Sequence, residues 1–211
     1  MELKKDWKGL PYLEYRPDDF DETKKYPVLI YLHGAGERGL GDFELLKKHG
    51  PIQEAEKGLD LPFVMISPQC APNCTWFNYG ERLIELSESL QSVPYLDENR
   101  IYLTGNSMGG FGTWFLACAR PDIFAAIVPI CGGGMPWNAD VLVNLPVWAF
   151  HCAGDEAVEV YETQKMIKVL RGCSKSEVKE TIYPYDDHNA WTETYQNLAV
   201  YEWLLSKRKG E

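Results

Sequence analysis

The 211-residue sequence predicts an α/β fold, a doubly wound and mostly parallel sheet flanked by helices. Apolar, β-rich runs alternate with segments of helical spacing along the chain. Several of these runs are almost unbroken in hydrophobicity, as expected of strands buried on both faces of a parallel sheet. Glycine-rich or polar loops follow the predicted strands, and ligands in such folds bind beyond the carboxyl ends of the strands.

The predicted strands are short apolar segments separated by turn residues. In chain order they are Leu10–Tyr15 (a short edge strand), Tyr26–Leu32, residues 61–67, 101–104 and 124–131, Val147–Cys152 and Val178–Tyr183. The segments between and after them predict helices at residues 43–49, 81–93, 111–119, 158–170 and 190–205. Gly50-Pro51 is expected to end the first of these helices. Without a repeat, linker or low-complexity segment, residues 1–211 are expected to form one domain.

The amino-acid composition restricts the kinds of molecule that are expected to bind this protein. The net charge of −10 and the isoelectric point near 4.9 argue against nucleic acid or an anionic membrane. No apolar run is long enough to span a bilayer, and the N-terminal residues have no apolar signal region. The six cysteines are scattered, and most are expected to be free thiols in a reducing compartment. We therefore expect a cytoplasmic protein, although Cys70 and Cys74 leave a disulfide or metal site open.

Residues 101–110, with the sequence IYLTGNSMGG, contain the clearest chemical motif. Gly105, Ser107 and Gly109 form a G-x-S-x-G pattern between a predicted strand and a predicted helix, the context required of a nucleophile elbow. A serine hydroxyl is a weak nucleophile, so it must be exposed on a tight turn within reach of a base. The alternative is a chance glycine and serine turn, but the strand before it and the helix after it favour a nucleophilic Ser107.

A catalytic serine needs a general base and an acid that orients the base. His188 follows the last predicted strand, where a loop at the sheet rim brings its imidazole to the elbow. Asp155 follows the preceding strand and is the predicted acid. The alternatives for the base are His33 (expected to hold a glycine-rich loop), His49 (expected to be solvated) and His151 (expected to lie in the core). The alternatives for the acid are Glu156, Asp186 and Asp187.

Acyl transfer also needs N–H donors for the tetrahedral oxyanion. The N–H of Met108, directly after the nucleophile, is one predicted donor. The second is Ala35, in the loop after the first buried strand, with Gly36 as a substitute. A phosphate-binding loop is the alternative for this segment, since Gly34, Gly36 and Gly39 fit G-x-G-x-x-G, but the P-loop pattern G-x-x-x-x-G-K-[ST] does not occur. No metal-ligand spacing beyond the single Cys70 and Cys74 pair is present, so no metal site beyond this pair is expected.

Taken together, these motifs resemble the α/β-hydrolase superfamily over nearly the full chain. Within it the chain resembles small serine carboxylesterases often labelled predicted peptidases, relatives of phospholipase/carboxylesterases and polyhydroxybutyrate-depolymerase-like esterases. The segments that carry the resemblance are YLHGAGERG at 31–39, SPQ at 67–69, GNSMGGFGTW at 105–114, GD at 154–155, HNAW at 188–191 and YEWLL at 201–205. The order Ser107, Asp155, His188 is also that of the superfamily.

The resemblance implies hydrolysis of carboxylic esters through an acyl-serine intermediate, without a cofactor. Reported substrates of the group are short-chain esters and acetyl or feruloyl esters of plant polysaccharides. We therefore expect a small-molecule or oligosaccharide ester as substrate. A serine peptidase or acyltransferase on the same fold, and a non-catalytic binding protein, remain alternatives, and the oligomeric state stays open.

Aromatic residues in the predicted rim loops suggest a substrate site. Trp76, Trp137 and Trp191 are the predicted substrate-binding residues, with core or loop anchoring as the alternative for each. Only residues 132–145 separate the two relevant strands, which leaves no room for a large lid domain. Glu159 stands where many relatives have a proline, a departure that bears on the conformation of the loop after Asp155.

Overall fold

An eight-stranded sheet lies at the centre of the computed structural model, which describes residues 1–211. In space the strand order is β1-β2-β4-β3-β5-β6-β7-β8. Strands β3 to β8 are parallel to one another, and β2 runs antiparallel to both of its neighbours, β1 and β4. The predicted fold class, a mostly parallel sheet flanked by helices, is therefore confirmed. The strands are β1 Glu2–Trp7, β2 Leu10–Tyr15, β3 Tyr26–Leu32, β4 Val64–Pro68, β5 Leu96–Asn106, β6 Ala126–Ile130, β7 Val147–Cys152 and β8 Val178–Tyr183.

Six α-helices cover the two faces of the sheet. They are α1 Pro51–Glu56, α2 Gly80–Leu90, α3 Met108–Ala119, α4 Tyr161–Cys173, α5 Trp191–Gln196 and α6 Leu198–Leu205. Four 3₁₀ turns join them, at Ala35–Glu37, Phe43–Lys47, Trp76–Tyr79 and Pro136–Leu142. None of the helices is both long and apolar enough to cross a bilayer.

The alternation of side chains along β3 divides the interior into two cores. Val28 and Ile30 pack with residues of α2, α3 and α4 on one face of the sheet. Leu29 and Tyr31 pack with residues of α1, α5 and α6 on the other face. Because β3 is buried on both faces, its nearly continuous apolar sequence is explained by its central position in a parallel sheet.

The N-terminal strand β1 was not among the predicted strands. It pairs antiparallel with β2 through a two-residue turn, so β2 lies inside the sheet and is not the edge strand that the sequence predicted. Its sequence, ELKKDW, is mainly charged, and none of its residues is fully buried. A charged strand of this kind is typical of a sheet edge, where one side of the ladder faces solvent, and it escapes detection by hydrophobic periodicity.

Two of the predicted helices do not form as single α-helices. The segment at 43–49 forms only the 3₁₀ turn Phe43–Lys47, and Gly50-Pro51 begins α1 rather than ending a helix. Proline is favoured at the first helical position, where its missing N–H is not needed. Gly50 has a φ of 88°, and an added Cβ would lie 2.4 Å from the Tyr31 ring. The predicted helix 190–205 is split at Asn197, whose side chain accepts the N–H of Ala199 and caps α6.

The first turn of α3 packs directly against the backbone of β3, and this contact positions the nucleophile elbow. A Cβ placed on Gly109 would lie 1.8 Å from the carbonyl oxygen of Leu32, and one on Gly105 would lie 2.5 Å from the carbonyl oxygen of Gly109. Neither neighbour is a flexible side chain that can turn aside. The two glycines of the G-x-S-x-G motif are therefore required by the close approach of helix and strand.

We expect Gly109→Ala to destabilise the fold by at least about 2 kcal/mol, because the new methyl group can be accommodated only by moving backbone. Gly172→Ala is the matched control, since Gly172 lies in α4 and an added Cβ meets nothing within 4 Å. In that helix the alanine is expected to leave stability unchanged or to raise it by about 0.5–1 kcal/mol. Urea unfolding midpoints of the two variants test this, and equal stability of both would contradict the packing argument.

Candidate active site

Ser107 occupies the single position between β5, which ends at Asn106, and α3, which begins at Met108. Its φ of 54° is unusual for a residue with a side chain. Two backbone hydrogen bonds hold it there: its N–H donates to Ile130 O at 2.9 Å, and its carbonyl accepts from Phe111 N at 3.1 Å. Strain of this kind is concentrated at functional sites, and here it presents the hydroxyl at the C-terminal rim of the sheet.

The three residues predicted to be catalytic form one hydrogen-bonded chain. His188 Nε2 lies 2.8 Å from Ser107 Oγ, and His188 Nδ1 lies 2.6 Å from Asp155 Oδ2. The three side chains come from loops that follow β5, β7 and β8, so the parallel strands deliver them to the same rim. With Nδ1–H donating to the carboxylate, Nε2 is free to accept the serine proton. This is the arrangement that activates a serine for nucleophilic attack.

The second oxygen of Asp155 fixes the carboxylate in place. Asp155 Oδ1 accepts the N–H groups of Ala157 and Val158, both at 2.9 Å, and the residue is only 5% exposed. This turn forms with Glu159 in the position where the sequence comparison noted an absent proline. The orientation of the acid therefore rests on its own two acceptor contacts.

His151 also approaches Asp155 and was a predicted core histidine. Its Nε2 lies 3.2 Å from Asp155 Oδ2 and 2.9 Å from Val158 O, while Nδ1 lies 2.8 Å from Thr163 Oγ1. The side chain is fully buried, and burial lowers the pKa of His151. A neutral His151 does not compete with His188 for the negative charge of Asp155. The structure confirms the predicted position of His151 in the core.

The predicted oxyanion donors lie at the starts of two helical turns. Met108 is the first residue of α3, and Ala35 is the first residue of the 3₁₀ turn Ala35–Glu37. N–H groups at such positions have no acceptor within their own helix. The Ala35 loop reaches the elbow, because a Cβ on the preceding Gly34 would lie 3.0 Å from Asn106 Nδ2. The positions suit an oxyanion hole, and the donor roles of Met108 and Ala35 stay predictions.

His33 holds this loop together. Its Nε2 accepts the N–H of Cys70 at 3.0 Å, its Nδ1 lies 2.6 Å from Gly34 O, and its own carbonyl accepts from Trp76 Nε1 at 3.0 Å. The ring is fully buried, and burial lowers the pKa of His33 to about 4. His33 is therefore a neutral structural residue that joins the loops after β3 and β4, as the sequence suggested.

The substrate-binding prediction for Trp76 was wrong. Trp76 is fully buried, packs against the His33 ring at 4.8 Å, and donates its indole N–H to the loop. Trp137 is 82% exposed on the 3₁₀ turn Pro136–Leu142, so its role stays a prediction. Trp191 contacts the catalytic imidazole directly, edge to face with His188 at 5.3 Å. The His49 ring also packs against Trp191, with 5.8 Å between the two ring centroids.

An apolar pocket of about 120 Å³ lies along the outer face of α3. Phe111 is one of its lining residues and lies one helical turn after Ser107, about 6 Å further along the helix axis. The other residues that line the pocket are Phe77, Trp114, Phe115, Cys118, Gly133, Gly134 and Met135. None of these lining residues is among the three predicted substrate-binding residues. The i, i+4 spacing of Phe111 and Phe115 from Ser107 was the signal that could have identified these two.

Cys131 lies beside the triad, with its Sγ within 4.8 Å of ligand atoms of Asp155 and His188. The thiol donates to the carbonyl of His188 at 3.1 Å, and burial raises the pKa of Cys131 well above its ordinary value. Both ring nitrogens of His188 are already engaged by Ser107 and Asp155. We therefore interpret Cys131 as a protonated thiol that holds the His188 loop.

Comparison with known proteins identifies the family of this chain. A family model described as Phospholipase/Carboxylesterase matches residues 75–202, which include Ser107, Asp155 and His188. The chain belongs to the phospholipase/carboxylesterase family. This membership makes it a hydrolase of the α/β-hydrolase superfamily and supports an enzymatic role.

Individual relatives include both esterases and peptidases. A thermostable esterase of known structure is 31% identical, with a TM-score of 0.78 over 99% of this chain and 63% of the esterase. A protein from Paracoccidioides lutzii named as a dipeptidyl-aminopeptidase B is 31% identical over 116 residues, which are 49% of this chain and 12% of that protein. The feruloyl esterase module from Clostridium thermocellum shares the fold at 17% identity, with a TM-score of 0.70 over 97% of this chain and 86% of the module.

The geometry predicts that Asp155→Asn will lower kcat about 10³- to 10⁴-fold with little change in KM, because an amide no longer fixes the donor tautomer of His188. Asp187→Asn is the matched control, since Asp187 is exposed and accepts only the N–H of Asn189. Steady-state hydrolysis of p-nitrophenyl acetate measures both. A comparable loss in the Asp187 variant would show that the assignment of the acid is wrong.

Acid sensitivity is expected from His33. Above pH 6.5 the ring is neutral in folded and unfolded chains, but between pH 6.5 and about 4 only the unfolded chain binds the proton. The stability that the neutral ring contributes is therefore lost as the pH falls through this window, by about 3 kcal/mol in total. Urea unfolding of wild type and His33→Gln should show a stability difference that narrows from pH 7.5 to pH 4.5. A difference independent of pH would contradict the assigned cause.

Proposed function

We propose that this protein is a serine carboxylesterase that hydrolyses soluble esters of small or aromatic carboxylic acids, including acyl esters of carbohydrates. The observation that carries the proposal is the hydrogen-bonded chain from Ser107 through His188 to Asp155. Family membership supports ester hydrolysis as the reaction class. The apolar pocket lined by residues of α3 indicates which kind of acyl group is bound.

In the proposed mechanism Ser107 Oγ attacks the ester carbonyl while His188 Nε2 takes the hydroxyl proton. Asp155 stabilises the imidazolium through Nδ1–H. The N–H groups of Met108 and Ala35 donate to the oxyanion of the tetrahedral intermediate. His188 then protonates the leaving alcohol, and a water molecule, deprotonated by the same imidazole, hydrolyses the acyl-serine.

The pocket limits the acyl group to a small apolar body. Its volume of about 120 Å³ is close to that of a cavity known to hold benzene, so one aromatic ring or a short alkyl chain fits. Phe111 and Phe115 supply apolar surface, and Phe77 and Met135 are exposed at its edge. Because the lining residue Phe111 lies one helical turn beyond Ser107, a ring joined to the ester carbonyl by a short spacer matches the distance. Such acids include phenylpropanoyl and feruloyl groups.

The alcohol portion of the substrate is expected to be large and polar. The loop between β6 and β7 has only one 3₁₀ turn, Pro136–Leu142, so no inserted domain covers the rim on that side. Trp137 projects from this turn with 82% of its surface exposed. An exposed indole provides an apolar face for a sugar ring. We therefore propose an oligosaccharide ester in preference to an emulsified lipid.

A peptidase activity is the second candidate, because half of the chain is similar to a dipeptidyl-aminopeptidase B. The chain spans about an eighth of that relative's length, so the relative's activity does not transfer directly. The hydrogen-bonded Ser107, His188 and Asp155 would serve either ester or amide hydrolysis. Amide hydrolysis additionally needs protonation of a poorer leaving group. Ester and anilide substrates with the same acyl group separate the two activities.

The test is a series of p-nitrophenyl esters from acetate to decanoate, together with the 3-phenylpropanoate and the matching p-nitroanilides. We expect kcat/KM to be highest for short chains and the phenylpropanoate, to fall with longer chains, and to be at least 10²-fold lower for anilides. Ser107→Ala should lose at least about 10⁴-fold in kcat. Ser92→Ala, at an exposed serine after α2, is the control and should retain full activity.

Persistence of esterase activity in Ser107→Ala would exclude Ser107 as nucleophile. A preference for decanoate would contradict the short pocket, and equal rates on ester and anilide would favour the peptidase. Absence of hydrolysis of every substrate by wild type would favour a binding protein.

A further inference from the structure

Arg38 carries a positive charge that no carboxylate of the chain neutralises. Five of the seven arginines form ion pairs, namely Arg16, Arg100, Arg120, Arg171 and Arg208. Arg82, which also has no ion pair, is exposed to solvent. Arg38 is partly buried, and its Nε is inaccessible to solvent and has no hydrogen-bond partner. An unpaired guanidinium is unexpected in a chain with a net charge of −10.

The guanidinium lies beside the nucleophile elbow. Arg38 follows the 3₁₀ turn that begins with Ala35, and its Nη2 lies 3.0 Å from the Sδ of Met108. Met108 directly follows Ser107, and both Ala35 and Met108 are predicted oxyanion donors. The positive charge is therefore next to the proposed reaction centre. A thioether sulfur is a weak acceptor and does not satisfy a charged donor.

The neighbouring acidic groups are not available to Arg38. Glu37 is directed to the other side, where a Cβ on Gly34 would lie 3.2 Å from its Oε2 and its Oε1 lies 3.8 Å from His49 Nε2. Burial also raises the pKa of Glu37. The Cys70 thiol lies nearby, but burial raises the pKa of Cys70 to about 11, so it supplies no negative charge at neutral pH. The terminal guanidinium nitrogens of Arg38 therefore have no carboxylate partner within the chain.

We propose that Arg38 binds a carboxylate carried by the ester substrate and selects anionic esters over neutral ones. This inference rests on the proposed esterase function and specifies its substrate class. A carboxylate matches the planar guanidinium and is bound through two parallel hydrogen bonds. Partial burial reduces screening by solvent, so the pair discriminates more strongly than one on an open surface. Candidate substrates are half-esters of dicarboxylic acids and esters whose alcohol carries a carboxylate.

Two other roles for Arg38 predict different kinetics. If the guanidinium only donated to the oxyanion, its removal would slow neutral and anionic esters by the same factor. If it only packed against Met108, its removal would lower stability and would again affect both classes equally. Selection of a substrate carboxylate predicts a loss confined largely to the anionic member of a matched pair.

The experiment compares kcat/KM for two pairs of esters at low ionic strength. Mono-p-nitrophenyl succinate against p-nitrophenyl butyrate places the charge on the acyl side, and 4-acetoxybenzoate against phenyl acetate places it on the leaving group. In at least one pair the anionic-to-neutral ratio of Arg38→Met should be about tenfold below that of wild type. Arg38→Lys, which keeps the charge, should retain part of the preference, and the preference should weaken in 0.5 M salt.

Arg82→Gln is the control for removal of an unpaired arginine and should leave both ratios at the wild-type value. Thermal unfolding midpoints establish that each variant is folded. Unchanged ratios in Arg38→Met, or equal losses on neutral and anionic esters, would overturn the inference while leaving the esterase proposal standing. Absence of any Ser107-dependent ester hydrolysis would instead overturn the proposed function, and this inference with it.

Discussion

The close contact between the first turn of α3 and the sheet backbone is the constraint on which the site depends. Gly109 lies against the carbonyl of Leu32, and Gly110 approaches the carbonyl of Ile130. Ser107 is held between these two contacts in a left-handed conformation by a hydrogen bond to the same Ile130 carbonyl. The free energy of packing two cores around β3 and β5 maintains this conformation, which a serine alone would not adopt. Loss of the contact would displace Ser107 even if the side chains of Ser107, His188 and Asp155 were unchanged.

Electrostatic order around the triad comes from keeping nearby ionisable groups neutral. His33, in the loop after β3, and His151, in β7, are both buried, and burial lowers the pKa of each. The Cys131 thiol is kept protonated by burial, which raises its pKa. His188 is therefore the triad partner of Asp155, and its imidazole packs edge to face against Trp191. A single hydrogen-bonded path from Ser107 through His188 to Asp155 follows from this arrangement.

The sequence was sufficient to predict the parallel sheet and to single out Ser107, Asp155 and His188, which the structure joins by hydrogen bonds, because buried strands and the elbow motif have strong local patterns. Four strands, at Leu10–Tyr15, Tyr26–Leu32, Val147–Cys152 and Val178–Tyr183, have the predicted bounds. β1 was missed because its charges mask the strand pattern, and α1 because Gly50-Pro51 is compatible with either end of a helix. Trp76 was misplaced because composition does not reveal whether an indole faces solvent or a buried carbonyl. The unpaired state of Arg38 depends on distances between loops and has no signature in the sequence.

The two outer strands of the sheet bear on behaviour in solution. An outer strand has unused N–H and C=O groups that serve as a template for pairing with another molecule. On β1 the charged Lys4, Lys5 and Asp6 interrupt the apolar surface that such pairing needs, and on β8 Lys179 and Glu180 do the same. The cost of desolvating these charges opposes growth of the sheet by strand addition. Resistance to fibrous aggregation is thus encoded at the edges of the same sheet that positions the nucleophile.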